Sequence, residues 1–163
     1  MENRYLGYLS SHTGILAHRF YTEDKKCICI ISSFSLPSHP VYIYGDNFAF
    51  VSEFDMEATI FPGLKRFIKN PSGEINAWIQ YRQRNIYTLQ QKETVIEIKV
   101  QKDGYHFSIG DNEIAEIRHI LCPCKENGIP TDLYKIFDVS IAPHINPEMT
   151  ALILAFPMLR FGL

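Results

Sequence analysis

Between Met149 and Leu159 the chain reads MTALILAFPML, a run in which Thr150 is the sole polar side chain. Asn146 is suited to cap a helix just ahead of it. Pro147 fits the first helical position, where its missing N–H is not needed, and Glu148 complements the positive helix end. The segment is therefore predicted to be helical. A helix with no polar face at any rotation must be surrounded, by protein or by lipid. Roughly eleven residues rise about 16 Å, whereas a bilayer core is about 30 Å thick and needs roughly 20 residues. Protein is the consistent surrounding. Pro157 is expected to kink or end the helix and Arg160 to reach solvent or a partner, which puts the buried part at Met149 to Phe156.

The rest of the chain must supply the enclosure. Its 163 residues suit one core, and one domain is expected over residues 1–163. The chain's 11 Phe, 9 Tyr and 1 Trp favour sheet over helix. VYIYGDNFAFVSEF, from Val41, reads as a hairpin turning at Gly45-Asp46-Asn47 with positive φ angles. KRFIKNPSGEINAWIQY turns at Asn70-Pro71-Ser72-Gly73, and its return strand places Ile75, Ala77 and Ile79 on one face. YHFSIGDNEIAEIRHI repeats the tripeptide at Gly110-Asp111-Asn112, and the three units suggest an internal repeat. NIYTLQ and TVIEIKVQKDGY add strands, the latter closing at Lys102-Asp103-Gly104. KKCICIISSFSL reads as one more. About eight strands make a barrel filled by its own side chains, while eleven or twelve leave room for a helix roughly 10 Å across. A large barrel around the helix is expected.

This pattern resembles the tubby-like superfamily, which includes the tubby C-terminal domain, the phospholipid scramblases and the LURP-one-related proteins. The resemblance is carried by hairpins of the form aromatic-x-Ile-turn-x-Ile-x-x-Ile, a tyrosine strand (Tyr134, Ile136, Asp138, Val139) and the capped apolar helix. It covers Val41 to Phe156 and is clearest in YHFSIGDNEIAEIRHI and INPEMTALILAF. It implies a mainly β fold, a closed antiparallel barrel of about twelve strands around a central hydrophobic C-terminal helix. Phosphoinositide binding and lipid scrambling are functions within the family. The basic residues that hold phosphoinositide in tubby domains and the calcium-binding segment of scramblases have no counterpart here, so no residue role carries over.

A formal charge of −2, with acids and bases interspersed, excludes a broad nucleic-acid footprint. The first residues lack the basic flank and apolar run of a signal peptide, and the expected location is the cytoplasm, or the periphery of a membrane, with no transmembrane segment. In that setting the two Cys-x-Cys pairs, Cys27 with Cys29 and Cys122 with Cys124, would stay reduced. On a strand, such spacing puts both sulfurs on one face, and two pairs could form a four-sulfur zinc site. Core packing is preferred for Cys27 and Cys29, and neither a metal site nor a cofactor is expected. The six histidines show no H-x-x-x-H or H-E-x-x-H spacing. No nucleophile elbow, phosphate loop or dinucleotide fingerprint is present, so a non-catalytic binding module is expected rather than an enzyme. Lys65, Arg66 and Lys69, with Arg82 and Arg84 on the next strands, form the local basic cluster. These five are the candidate ligand-binding residues, for an anionic lipid headgroup or a protein partner. A small metal- or thiol-dependent protein using the cysteines is the alternative.

Overall fold

The computed structural model describes residues 2–12, 14–34, 40–52, 65–124 and 133–160, and among these described residues twelve strands are followed by one helix. The side chains of residues 12 and 121–124 fall outside that description. The first six strands are β1 (Asn3–His12), β2 (Ile15–Thr22), β3 (Cys27–Phe34), β4 (Val41–Gly45), β5 (Ala49–Ser52) and β6 (Lys65–Lys69). The next six are β7 (Ile75–Gln83), β8 (Ile86–Gln91), β9 (Thr94–Val100), β10 (Gly104–Ile109), β11 (Asn112–Cys124) and β12 (Tyr134–Ile141). Each pairs antiparallel with its neighbours in sequence, and β1 pairs with β12, so the sheet closes on itself. A closed sheet leaves no edge strand unpaired.

Helix α1 (Pro147–Leu159) fills this barrel. The Asn146 side chain accepts from the Met149 N–H at 2.8 Å, and Pro147 occupies the first turn. Every residue from Met149 to Leu159 is buried. The Phe156 ring meets Tyr87, Tyr105 and Phe107 edge to face, with centroids 5.3, 5.3 and 5.8 Å away. These pairs key the helix to β8 and β10. The helix does not stop at Pro157 as its sequence suggests. An interior proline costs about 3 kcal/mol, but burying Met158 and Leu159 contributes roughly 1.5–3 kcal/mol each and offsets that loss. The Arg160 N–H then closes the last turn on the Phe156 carbonyl at 3.0 Å.

The two Gly-Asp-Asn turns differ. Gly110 has φ 58° with open space where a Cβ would sit, so its role is conformational. None of Gly45, Asp46 and Asn47 has positive φ, contrary to expectation. Gly45 is needed for closeness instead, because a Cβ there would run into the Phe48 ring. A bulge also overturns the assignment of Ile75 to the buried face. Ile68 faces Ala77 while Lys69 faces Ile75, so Asn76 is the extra residue and Ile75 turns outward, 52% exposed. Ala77 and Ile79 remain fully buried.

His18 on β2 lies inside the wall, its ring 5.3 Å from that of Phe137 and 6.5 Å from that of Phe20. Its Nδ1 is enclosed without a hydrogen bond among the described residues. Burial disfavours the imidazolium and pulls the pKa down to about 4. The unfolded chain, with an ordinary value near 6.5, takes up a proton first as pH falls. Stability from this residue is therefore complete above about pH 6.5 and is lost progressively down to about pH 4. The loss should approach about 3 kcal/mol, at about 1.4 kcal/mol per pH unit. Urea unfolding measured between pH 7 and 5 should show this slope in the native chain and a flatter one in His18→Phe; identical slopes would dismiss it.

Candidate functional site

At the barrel mouth where α1 begins, the wall and the helix do not meet. They enclose a cleft of about 790 Å³, within the range of about 300–1,000 Å³ common for small-ligand sites. Its apolar walls are Tyr5 of β1, Ile28 and Cys29 of β3, Phe48 after the β4–β5 turn, Ile145, and Ala151 and Leu154 of α1. Asn3, Asn47, Asp46 and Glu148 add polar groups. The close packing of Phe48 over Gly45 fixes one wall. Glu148 accepts from Gln91 Nε2 at 3.4 Å, and the same amide donates to Asn76 Oδ1 at 2.7 Å, which fixes the carboxylate against β7 and β8. Asp46 is held more loosely, 3.6 Å from Lys26 in an exposed pair that stabilises little.

Two groups of this cleft, Cys29 and Tyr5, are held in their protonated forms. Burial, together with the neighbouring Cys27, pushes the Cys29 thiol up to about 12, so it remains a thiol at neutral pH. Burial also raises the Tyr5 hydroxyl, against a smaller lowering by its hydrogen bond with Asn3.

The five basic residues are not one cluster. Along β6, Arg66 and Ile68 point inward while Lys65, Phe67 and Lys69 do not. Arg66 is 1% exposed, so its assignment to a ligand-binding surface is corrected. Its Nε donates to Ser52 Oγ at 2.8 Å, its Nη2 to the Ser52 carbonyl at 3.2 Å and its Nη1 to the Leu159 carbonyl at 3.4 Å. The carbonyl end of a helix buried in a barrel needs a donor, and a cation complements its dipole. Burial draws the Arg66 pKa down to about 10, which leaves it charged at neutral pH.

Lys65, Arg82 and Arg84 lie toward the same end of the barrel. Lys65 pairs across the strands with Gln80, whose Oε1 accepts from Arg82 at 3.0 Å, and Arg84 occupies the β7–β8 turn. Lys65 Nζ lies 5.7 Å from the centre of the Trp78 ring. Lys69 is four residues along β6, about 13 Å away, beside the opposite turn.

Cys27 and Cys29 do not share a face. Phe20 faces Cys29 and Tyr21 faces Cys27, so Ile28 is bulged out of register. Cys29 joins the main core, while Cys27 packs against a smaller cluster of Tyr8, Tyr21 and Leu133. The pair is therefore not preset to chelate. The side chains of Cys122 and Cys124 lie outside those described, and the four-sulfur site with them.

Comparison with known proteins adds no assignment: no protein-family model, no curated protein and no solved structure matches the chain. Among the described residues no helix is long and apolar enough to cross a membrane. Arg66→Ala should destabilise by about 2–4 kcal/mol, since it strands the Ser52 and Leu159 acceptors in the interior, whereas Lys65→Ala should change stability by about 0.5 kcal/mol or less. Denaturant midpoints of the two variants measure the contrast, and equal midpoints would contradict the buried role.

Proposed function

We propose that the chain is a non-catalytic binding module whose cleft at the start of α1 takes a small amphipathic molecule. The cleft itself carries this reading, being of ligand size, apolar in its walls and provided with two carboxylates. Asp46 and Glu148 suit a cationic or hydrogen-bond-donating head and repel a phosphate or carboxylate one. Ile28, Phe48 and Leu154 suit an aliphatic or aromatic body. Thiol chemistry is disfavoured here, because a Cys29 pKa of about 12 leaves almost no thiolate at neutral pH.

The test uses paired probes that share one alkyl body and differ in the head, an amine against a carboxylate, followed by amide NMR shifts. Shifts should gather on Ile28, Phe48, Ala151 and Leu154, and the amine should bind more tightly. Asp46→Asn combined with Glu148→Gln should weaken the amine by about tenfold, equivalent to about 1.4 kcal/mol, and leave the carboxylate unchanged or improved. Equal affinity for the two heads, or shifts elsewhere on the barrel, would reject the assignment.

A second reading, contact with an anionic membrane surface as the tubby-like resemblance implies, is favoured by Lys65, Arg82 and Arg84 at one end of the barrel, where Lys65 Nζ lies 5.7 Å from the Trp78 ring. An indole with a lysine beside it suits a headgroup layer. Each cation near such a surface contributes roughly 1 kcal/mol, and the attraction decays over about 8–10 Å at ordinary salt. Co-sedimentation with phosphatidylserine vesicles at low salt should exceed that with neutral vesicles and disappear when these three residues become Glu. Changing Lys69→Glu alone should have a smaller effect; equal binding to both vesicle types would remove this reading.

A further inference from the structure

We propose that Asp103, His106 and Glu116 bind a divalent cation of the zinc class on the outer face of β10 and β11. The three residues offer one imidazole nitrogen and two carboxylate oxygens that all lie within 4.8 Å of one another. His106 Nε2 is the focus. It is enclosed, makes no hydrogen bond among the described residues, and lies 3.9 Å from Asp103 Oδ1 and 4.0 Å from Glu116 Oε1. These separations are too long for hydrogen bonds. They are instead close to the span of two ligands around one ion. Ligand bonds of about 2.0–2.2 Å put neighbouring ligands roughly 3–3.5 Å apart, so each carboxylate must approach Nε2 by about half an ångström, and the side chains must draw in by about an ångström where the set is widest.

The other ring nitrogen is already oriented. His106 Nδ1 lies 2.9 Å from Glu113 Oε1, the carboxylate–imidazole contact that leaves Nε2 free to coordinate. The backbone builds this geometry with a bulge. Glu113 and Glu116 are three apart and would face opposite sides of a regular strand. The register instead pairs Phe107 with Ala115 and Ser108 with Glu113, so Ile114 is the extra residue and both glutamates turn to the His106 side. Asp103 is anchored from behind by its carbonyl, which accepts from the His119 N–H at 2.8 Å.

Two cations border the group. Arg118 Nη2 reaches both Glu116 oxygens, at 3.2 and 3.1 Å, and can stay on Oε2 while Oε1 turns to an ion. Lys99 stands opposite His106 across the strands but pairs with Glu97 at 3.4 Å. An imidazole with two carboxylates suits zinc and its late first-row neighbours better than calcium or magnesium, which prefer oxygen throughout. Three protein ligands leave a coordination position for water.

The chain, freed of metal by a chelator, is titrated with zinc by calorimetry and with cobalt(II) by visible absorption. One ion per chain should bind, raise the melting temperature, and give a cobalt spectrum without a thiolate charge-transfer band. Glu113→Gln should weaken binding about 10–100-fold, and His106→Ala and Glu116→Gln should each abolish it while leaving the circular dichroism unchanged. The Cys27→Ser variant should bind as the native chain does. Absence of saturable binding, undiminished binding in either His106→Ala or Glu116→Gln, or a thiolate band would overturn the site.

Discussion

A helix without a polar side can exist in water only if something else covers it. Every residue from Met149 to Leu159 is buried, and the twelve strands form the cover. Inward positions must be apolar and sized to the helix, as Ile43, Ile79, Leu89, Ile98 and Phe107 are. The two helix ends must find polar partners at the barrel mouths. Asn146 and Gln91 serve one end, Arg66 the other. The candidate cleft is a consequence of this arrangement, since a helix narrower than its barrel leaves space where it enters.

Strand parity decides which side chains meet outside and inside the wall, and bulges reset that parity. One at Ile28 parts Cys27 from Cys29, one at Asn76 turns Ile75 outward, and one at Ile114 brings Glu113 and Glu116 together. Each extra residue is accommodated by a local twist that a closed, strongly curved sheet requires in any case. The proposed cation site is accordingly sensitive to register: a deletion at Ile114 would not remove a single acidic group, yet it would separate them.

Much of the architecture is legible in the sequence because its causes are local. Asn146, Pro147 and Glu148 announce the helix, alternation in TVIEIKV announces β9, and the apolar run demands a large enclosure. The departures come from non-local causes. Nothing in CICI marks a bulge, because the extra residue is defined only by the facing strand. In KRFIK an arginine inside and a phenylalanine outside run against hydrophobicity, and the reason is a carbonyl at Leu159, far along the chain. The cleft joins Asn3 to Glu148 and had no sequence signal. The His106 group had a weak one, a histidine and four acids between Asp103 and Glu116, but with Glu113 and Glu116 at a spacing that favours opposite faces until Ile114 is displaced.

The barrel is a meander, each strand pairing with the next, except for the seam between β1 and β12. Hairpins of this kind form early because their ends are close in sequence. The seam and the filling helix are different, because both await the segments that follow β11. During synthesis, strands with sticky edges and an unfilled apolar interior therefore precede the one segment that satisfies them. That interval exposes the chain to edge pairing with its copies and to chaperone capture. The helix thus acts as a completeness check: a chain broken off before Asn146 keeps all twelve strands but nothing to close around.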